Sequence, residues 1–314
     1  MSMGERNAIL AILELDSEPD RLVERAAWIA NAFDCDIHLV LFEPENTLMS
    51  KLFSISSEVD SLRREVRSAQ GKIVEEYADT IRESGIVVET SVLQLRPLDD
   101  HILTIADAVK PKVVVKTTRY HSIAERSILI DTDWQLIRTC SYPLWFVKAD
   151  EMPDNPVIVA VVDPGHSHDK PAALDKEIVG SANAVAAATG GEVHLVHTYE
   201  VLAELGAAVT WALKAEKLCV DEIETRMKNE HRELLDKLAT ENEIDVKNAH
   251  LLPGRAHEVL PAFTREKSAG VFVMGALSRW GIKKLVIGST AERIINHLPC
   301  DTLIVRLGEY QIGE

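Results

Sequence analysis

Residues 113–148 and 271–306 align without a gap at an offset of 158, so that "VVVKTTRYHSIAERSILIDTDWQLIRTCSYPLWFVK" lies over "VFVMGALSRWGIKKLVIGSTAERIINHLPCDTLIVR". Upstream, "DCDIHLVLF" (34–42) resembles "GGEVHLVHTY" (190–199), which sets His38 opposite His194 at an offset of 156. A chain of 314 residues that states one plan twice is expected to build two domains of common size, each with a core of its own. The joint falls in "DEMPDNP" (150–156), whose prolines and acids read as a linker. The expected domains are 1–150 and 156–308.

Each half parses as strands alternating with helices. In the first, strands are expected at 8–15, 36–42, 87–95, 112–116 and 144–148, and helices at 19–33, 58–84, 98–108 and 133–139. The long helix carries Val59, Leu62, Val66, Ala69, Ile73, Tyr77 and Ile81 at three-and-four spacing, one buried face. The second half repeats this order over 157–307. Its long helix, 214–239, is expected to bury Leu218, Ile223, Met227, Leu234 and Leu238. Strands that are apolar throughout, rather than at alternate positions, imply a parallel sheet covered on both faces, an α/β fold. Ligands of such sheets bind beyond the carboxyl ends of the strands, where the strand order reverses. The last strands, "LWFVK" and "TLIVR", are apolar edges of the kind that invites pairing, and the halves are expected to pair through them as an intramolecular pseudo-dimer.

Composition narrows the function. Hydrophobic residues are 46% and charged residues 27%, a globular balance, and a formal net charge of -16 argues against nonspecific nucleic-acid or anionic-membrane binding. Apolar strings such as 157–162 are too short to span a bilayer. The N-terminal "MSMGERN" lacks the basic and apolar regions of a secretory signal, and Cys35, Cys140, Cys219 and Cys300 form no CxxC pair. The expectation is a cytoplasmic protein with reduced thiols.

The chemistry-bearing stretch is "GALSRWGIKKLVIGSTAE" (275–292). Gly275 ends an apolar strand, where backbone without a Cβ can approach a ligand. Gly288, Ser289 and Thr290 open a helix whose first amides lack partners inside it, a natural anion site, and Arg279 and Lys283 add positive charge. A second reading stands beside this one: Ser289 and Glu292 form an S-x-x-E capping box, and Gly275 allows close packing.

Gly275-x2-Ser278-x9-Gly288-Ser289 resembles the G-x2-G-x9-G-[ST] signature of the universal stress protein family, as do "VHLVHTYE" and the Asp163 ending of "VIVAVVD". The resemblance covers both halves and is nearest to the tandem type. It implies two tandem, open, mostly parallel five-stranded sheets flanked by helices, Rossmann-like and similar to the adenine nucleotide alpha hydrolases. It also implies ATP binding through Gly275, Ser278, Arg279, Gly288, Ser289 and Thr290, dimerisation, and a role in surviving stress. It further implies Asp163 for the ribose or adenine edge and the backbone of Thr198 for adenine. Any ion at the site is expected to be Mg²⁺, which phosphates and waters commonly hold. The departure is Ser278, where the signature has glycine; a positive φ there would penalise serine.

In the first half Thr117 stands opposite Gly275, Tyr120 opposite Ser278, Ile130 opposite Gly288 and Asp131 opposite Ser289. Side chains fill the approach and a carboxylate repels phosphate, so nucleotide is expected in the second half alone. Lys116, Arg119, His121 and Arg126 read as a solvated basic loop. "DPGHSHD" (163–169) gathers His166 and His168 without a further ligand cluster, and no metal site is assigned. His101 and His257 recur near equivalent helix starts, as caps or packing groups. The apolar segments "NTLMSKLFSI" (46–55) and "VLAELGAAVTWAL" (201–213) either cover the sheet or form a greasy lid. With no G-x-S-x-G elbow and no complete Walker loop, no catalytic residue is assigned and the chain is not expected to be an enzyme. The alternatives are an interaction protein that uses the apolar segments, or a weak ATPase.

Overall fold

The computed structural model describes residues 7–42, 59–93, 98–118, 131–148, 151–165, 169–199, 220–276, 289–307 and 312. The chain divides into two compact units, one spanning Met1–Asp150 and the other Glu151–Glu309 in the main. In the first, the elements run β1 (Ala8–Leu13), α1 (Pro19–Phe33), β2 (Asp36–Phe42), α2 (Val59–Arg82), β3 (Val88–Leu93), α3 (Leu98–Val109), β4 (Val114–Thr117), α4 (Asp131–Thr139) and β5 (Leu144–Val147). The strands are parallel in the order β3-β2-β1-β4-β5. Helices α1 and α2 pack together, as do α3 and α4. All six residues of β1 are buried, which is why its sequence shows no polar alternation.

The second unit repeats the plan with β6 (Val157–Val161), α5 (Asp169–Thr189), β7 (Glu192–Tyr199), α6 (Val220–Glu241), β8 (Ala249–Pro253), α7 (Ala256–Glu266), β9 (Val271–Gly275), α8 (Ser289–His297) and β10 (Asp301–Val305). Its parallel order is β8-β7-β6-β9-β10. In each unit the first strand has the second strand on one side and the fourth on the other. The order therefore reverses beside β1 and beside β6, and an open crevice is expected at the carboxyl ends there.

The buried stripes of the long helices differ from the sequence expectation by a fraction of a turn. In α2 the centre of the buried face is Val74, Ala78 and Ile81, while Ala69 is exposed. In α6 it is Leu235 and Ala239, and Leu234 is 39% exposed. Ile81 is common to the expected and the observed stripe, whereas Ile73 and Tyr77 in α2 and Ile223, Met227 and Leu238 in α6 are only half-buried.

The crevice of the first unit is filled from within. Lys116 on β4 is 2% exposed, its Nζ 2.8 Å from Glu14 Oε2 and 2.9 Å from Asp133 Oδ1, and Glu14 and Asp133 are equally buried. The same ammonium donates to the Thr117 carbonyl at 3.2 Å. Burial works against the charge, but Asp133 and Glu14 outweigh it, so the ammonium pKa stands above its ordinary value. This corrects the reading of Lys116 as part of a solvated loop: its carboxylate partners lie about a hundred residues upstream and on the next helix, out of sight of local sequence. Arg119, His121 and Arg126 lie outside the described residues.

In the second unit His194 on β7 and His250 on β8 stack with ring planes 5° apart, and His194 Nδ1 lies 2.9 Å from His250 Nε2. Phe263 of α7 closes over His250. Burial first, then the neighbouring His194, Lys267 and Arg232, push His250 down to about 4. Burial also lowers His194, against the pull of Glu192.

Two outcomes follow from these groups. Lys116→Met leaves two buried carboxylates without a counter-charge and is expected to lower stability by about 3–5 kcal/mol in urea unfolding. Replacing Glu14 and Asp133 by Leu in the same variant is expected to recover most of that loss; a silent single variant would contradict the buried network. His250 is protonated in the unfolded chain below its ordinary pKa near 6.5 but not in the folded one until about pH 4. Its contribution to stability is thus complete above pH 6.5 and lost as pH falls from there to about 4. His250→Gln is expected to flatten the fall in the urea midpoint across that window relative to wild type, and parallel curves would contradict the assignment.

Candidate functional site

Three sequence-assigned positions meet at the carboxyl edge of the second sheet. Asp163 follows β6, Thr198 lies near the end of β7, and Gly275 ends β9, with β6 hydrogen-bonded between the other two strands. Asp163 and Gly275 thus flank the point where the strand order reverses. Helix α8 opens at Ser289, so its first amides, which lack partners inside the helix, belong to the segment that follows β9. Ser278, Arg279, Lys283 and Gly288 lie outside the described residues, as do His166, His168 and both apolar segments.

The backbone of Thr198 is well placed for recognition by position alone. Along a strand, successive peptide groups face opposite neighbours. Val196 O accepts from Val162 N at 3.0 Å, toward β6, and Tyr199 O accepts from Gly254 N at 2.9 Å, toward β8. Thr198 therefore presents its amide and carbonyl on the side of β6, beyond the point at which β6 has ended. An adenine edge, with one donor beside one acceptor, matches a pair of backbone groups left at such a strand end.

Asp163 is half exposed, and the turn it begins is firmly held. Its own N–H donates to Asp175 Oδ1 of α5 at 3.0 Å. The preceding carbonyl, Val162 O, is 3.1 Å from Nδ1 of His197, a residue 3% exposed on β7. His197 Nε2 is in turn 2.7 Å from Nδ1 of His231 on α6. The ring of Tyr199 stands 5.8 Å from that of His231. Sequence reasoning missed this histidine pair, because 34 residues separate its members and His231 belongs to no motif; the one signal was the second histidine of "VHLVHTYE".

Gly275 has a reason of its own to lack a side chain. A Cβ there would fall 2.4 Å from Leu174 Cδ2 and 2.6 Å from its Cγ. Leu174 is buried on α5, so its side chain occupies the space that a side chain at 275 would need. Close packing, one of the two sequence readings of this glycine, is thereby met whether or not a ligand approaches it.

In the first unit the register Leu10↔Val114 corresponds to Val159↔Phe272 in the second. On that register Glu14 takes the place of Asp163 and Lys116 the place of Met274, while the gap-free alignment sets Asp133 opposite Ala291. The crevice that is framed by Asp163 and Gly275 in one unit thus holds a buried ion network in the other. Thr117, opposite Gly275, is also buried.

Among the described residues, no group of three His, Cys, Asp or Glu is placed to hold a metal ion, and no helix is long and apolar enough to cross a membrane. His257 sits 3.6 Å from Glu258 at the start of α7. An open groove on α6 is lined by Asp221, Glu222, Glu230 and Glu233 against a single Arg226, a poor match for polyphosphate. Cys35, Cys140 and Cys300 are buried.

The sequence profile of the Universal stress protein family matches residues 5–148 and again 155–306. Universal stress protein E of Photorhabdus laumondii is 27% identical over 311 residues, 97% of this chain and 96% of that protein. Universal stress protein E of Salmonella typhi is 28% identical over 255 residues, 81% and 79% of the respective chains. Among solved structures, a putative universal stress protein from Pseudomonas aeruginosa UCBPP-PA14 is similar with a TM-score of 0.69 at 22% identity, over 97% of this chain and 94% of that one, a likeness of fold. With both halves matched and the same strand order found in each, the chain belongs to the universal stress protein family.

Proposed function

We propose that the second unit binds ATP at the carboxyl edge of its sheet, with Mg²⁺ on the phosphates, and that the first unit binds none. In this reading the protein acts in the stress response as a sensor or adaptor rather than as a catalyst. The observation that carries it is the convergence of Asp163, the outward-facing backbone of Thr198, Gly275 and the opening of α8 on one strand-order reversal. The first three frame the adenosine end. The signature loop, with Ser278, Arg279 and Gly288, leads into Ser289 and Thr290 for the phosphates. For a chain of net charge -16, backbone amides and a bound cation are the economical means of holding a polyanion.

A second reading has one observation in its favour: the contact of Gly275 with Leu174 explains that glycine without a ligand. Together with Ser278 in place of the signature glycine, it supports an interaction protein whose apolar segments, 46–55 and 201–213, meet a partner.

Calorimetric titration of nucleotide-stripped protein with Mg²⁺–ATP separates the two. One ATP per chain, with affinity lowered at least about tenfold in Gly288→Val, where a Cβ-branched side chain fills the backbone approach, is the expected result. Absence of binding by the wild type, or unchanged binding by the variant, would turn the assignment toward the interaction protein. Mg²⁺-dependent ADP release, lost in Gly288→Val, would instead make the unit a weak ATPase.

A further inference from the structure

We propose that His197 and His231 form a positioning relay for nucleotide recognition, holding the turn after β6 so that Asp163 meets its ligand already oriented. The inference rests on the reading of the second unit as a nucleotide site and adds to it two residues to which the sequence assigned no role.

The hydrogen bonds fix the direction of the relay. A carbonyl only accepts, so His197 Nδ1, 3.1 Å from Val162 O, carries a proton, and in the neutral ring its Nε2 carries the lone pair. At 2.7 Å from that lone pair, His231 Nδ1 must donate. The chain of bonds therefore runs from α6 through β7 to the end of β6. Val162 is held on both sides, because its N–H donates to Val196 O at 3.0 Å. The next peptide N–H, that of Asp163, goes to Asp175 on α5. Two consecutive residues of a loop are thus tied to β7 and two helices at the point where a strand would otherwise release the chain.

The carboxylate is oriented by this scaffold rather than consumed by the histidine. Asp163 Oδ1 is 3.8 Å from His197 Nδ1, too far for a hydrogen bond, and the His197 proton is directed at the carbonyl instead. The His231 ring lies along the turn itself, with its Cε1 3.6 Å from where a Cβ on Gly165 would be.

The first unit supplies an internal control. In the alignment that pairs His38 with His194, the residue opposite His197 is Leu41, fully buried and apolar. The unit that lacks the relay is the one whose crevice is closed by Lys116, Glu14 and Asp133. The relay and the half-exposed Asp163 occur together, and a histidine 3% exposed in place of a leucine is costly unless it is hydrogen-bonded.

The test is the dissociation constant for Mg²⁺–ATP of the full chain carrying Asp163→Asn, His197→Leu, His197→Asn, His231→Phe and the Asp163→Asn/His197→Leu pair, each first shown to keep the wild-type far-ultraviolet spectrum and a cooperative melt. Asp163→Asn, His197→Leu and His231→Phe are each expected to weaken binding on the order of tenfold, the scale of ordering one residue of backbone. The double variant is expected to be little worse than either single one, since both remove the same contact. His197→Asn, whose carboxamide N–H stands where the Nδ1 proton was, is expected to restore most of the loss. Additive losses, or no rescue by Asn, would overturn the relay in favour of a general structural role. So would unchanged affinity in the relay variants while Asp163→Asn is weakened. A wild type that binds no ATP would remove the nucleotide reading and the relay with it, an outcome distinct from the others.

Discussion

A parallel sheet buried on both faces has one natural place for a ligand. Its faces are covered by helices and its ladder hydrogen bonds are satisfied, so the edge where the strands stop is where unpaired backbone groups and loop side chains gather. In each half the order of strands reverses beside the first strand, which opens that edge at a defined position: between β1 and β4, and between β6 and β9. Among the described residues, Asp163 and Gly275 flank the second of these points, and Glu14 and Lys116 meet at the first. The same backbone geometry gives Thr198 its outward-facing peptide and lets α5 settle on Gly275.

The two halves resolve the same crevice with opposite electrostatics. In the first, a lysine replaces a methionine and draws in two carboxylates, so that the place for a ligand is taken by an internal cation with its counter-ions. Such a network is expensive to break and of little net benefit against an apolar filling. In the second, the corresponding carboxylate, Asp163, is left half exposed and its backbone is braced from three sides. One copy holds an internal ion network at its strand-order reversal; the other leaves a half-exposed carboxylate there.

Much of this was legible in the sequence, and the rest was not for identifiable reasons. The duplication, the parallel α/β plan and the start of α8 at Ser289 follow from patterns that are local or repeated. The carboxyl-edge positions of Asp163 and Gly275 follow from the strand endings. The role of Lys116 was misread because a basic residue followed by Arg119 and His121 looks solvated, and nothing within the motif announces Glu14 or Asp133. Likewise, the His197–His231 contact joins a strand to a helix 34 residues away, a juxtaposition only the fold creates. The contact of Leu174 with Gly275 is of the same kind: sequence left close packing and ligand approach side by side as reasons for the glycine, and the structure places the Leu174 side chain where a Cβ would be.

The central claim is that one crevice is open and its twin is closed. Amide hydrogen exchange of the whole chain with and without Mg²⁺–ATP tests it most directly, since it reads both crevices in one experiment. The account predicts nucleotide-dependent protection at residues 163–165, 198–199 and 275–291, with residues 14–17 and 116–133 unchanged. Protection in the first unit's segments, or none in the second's, would contradict it.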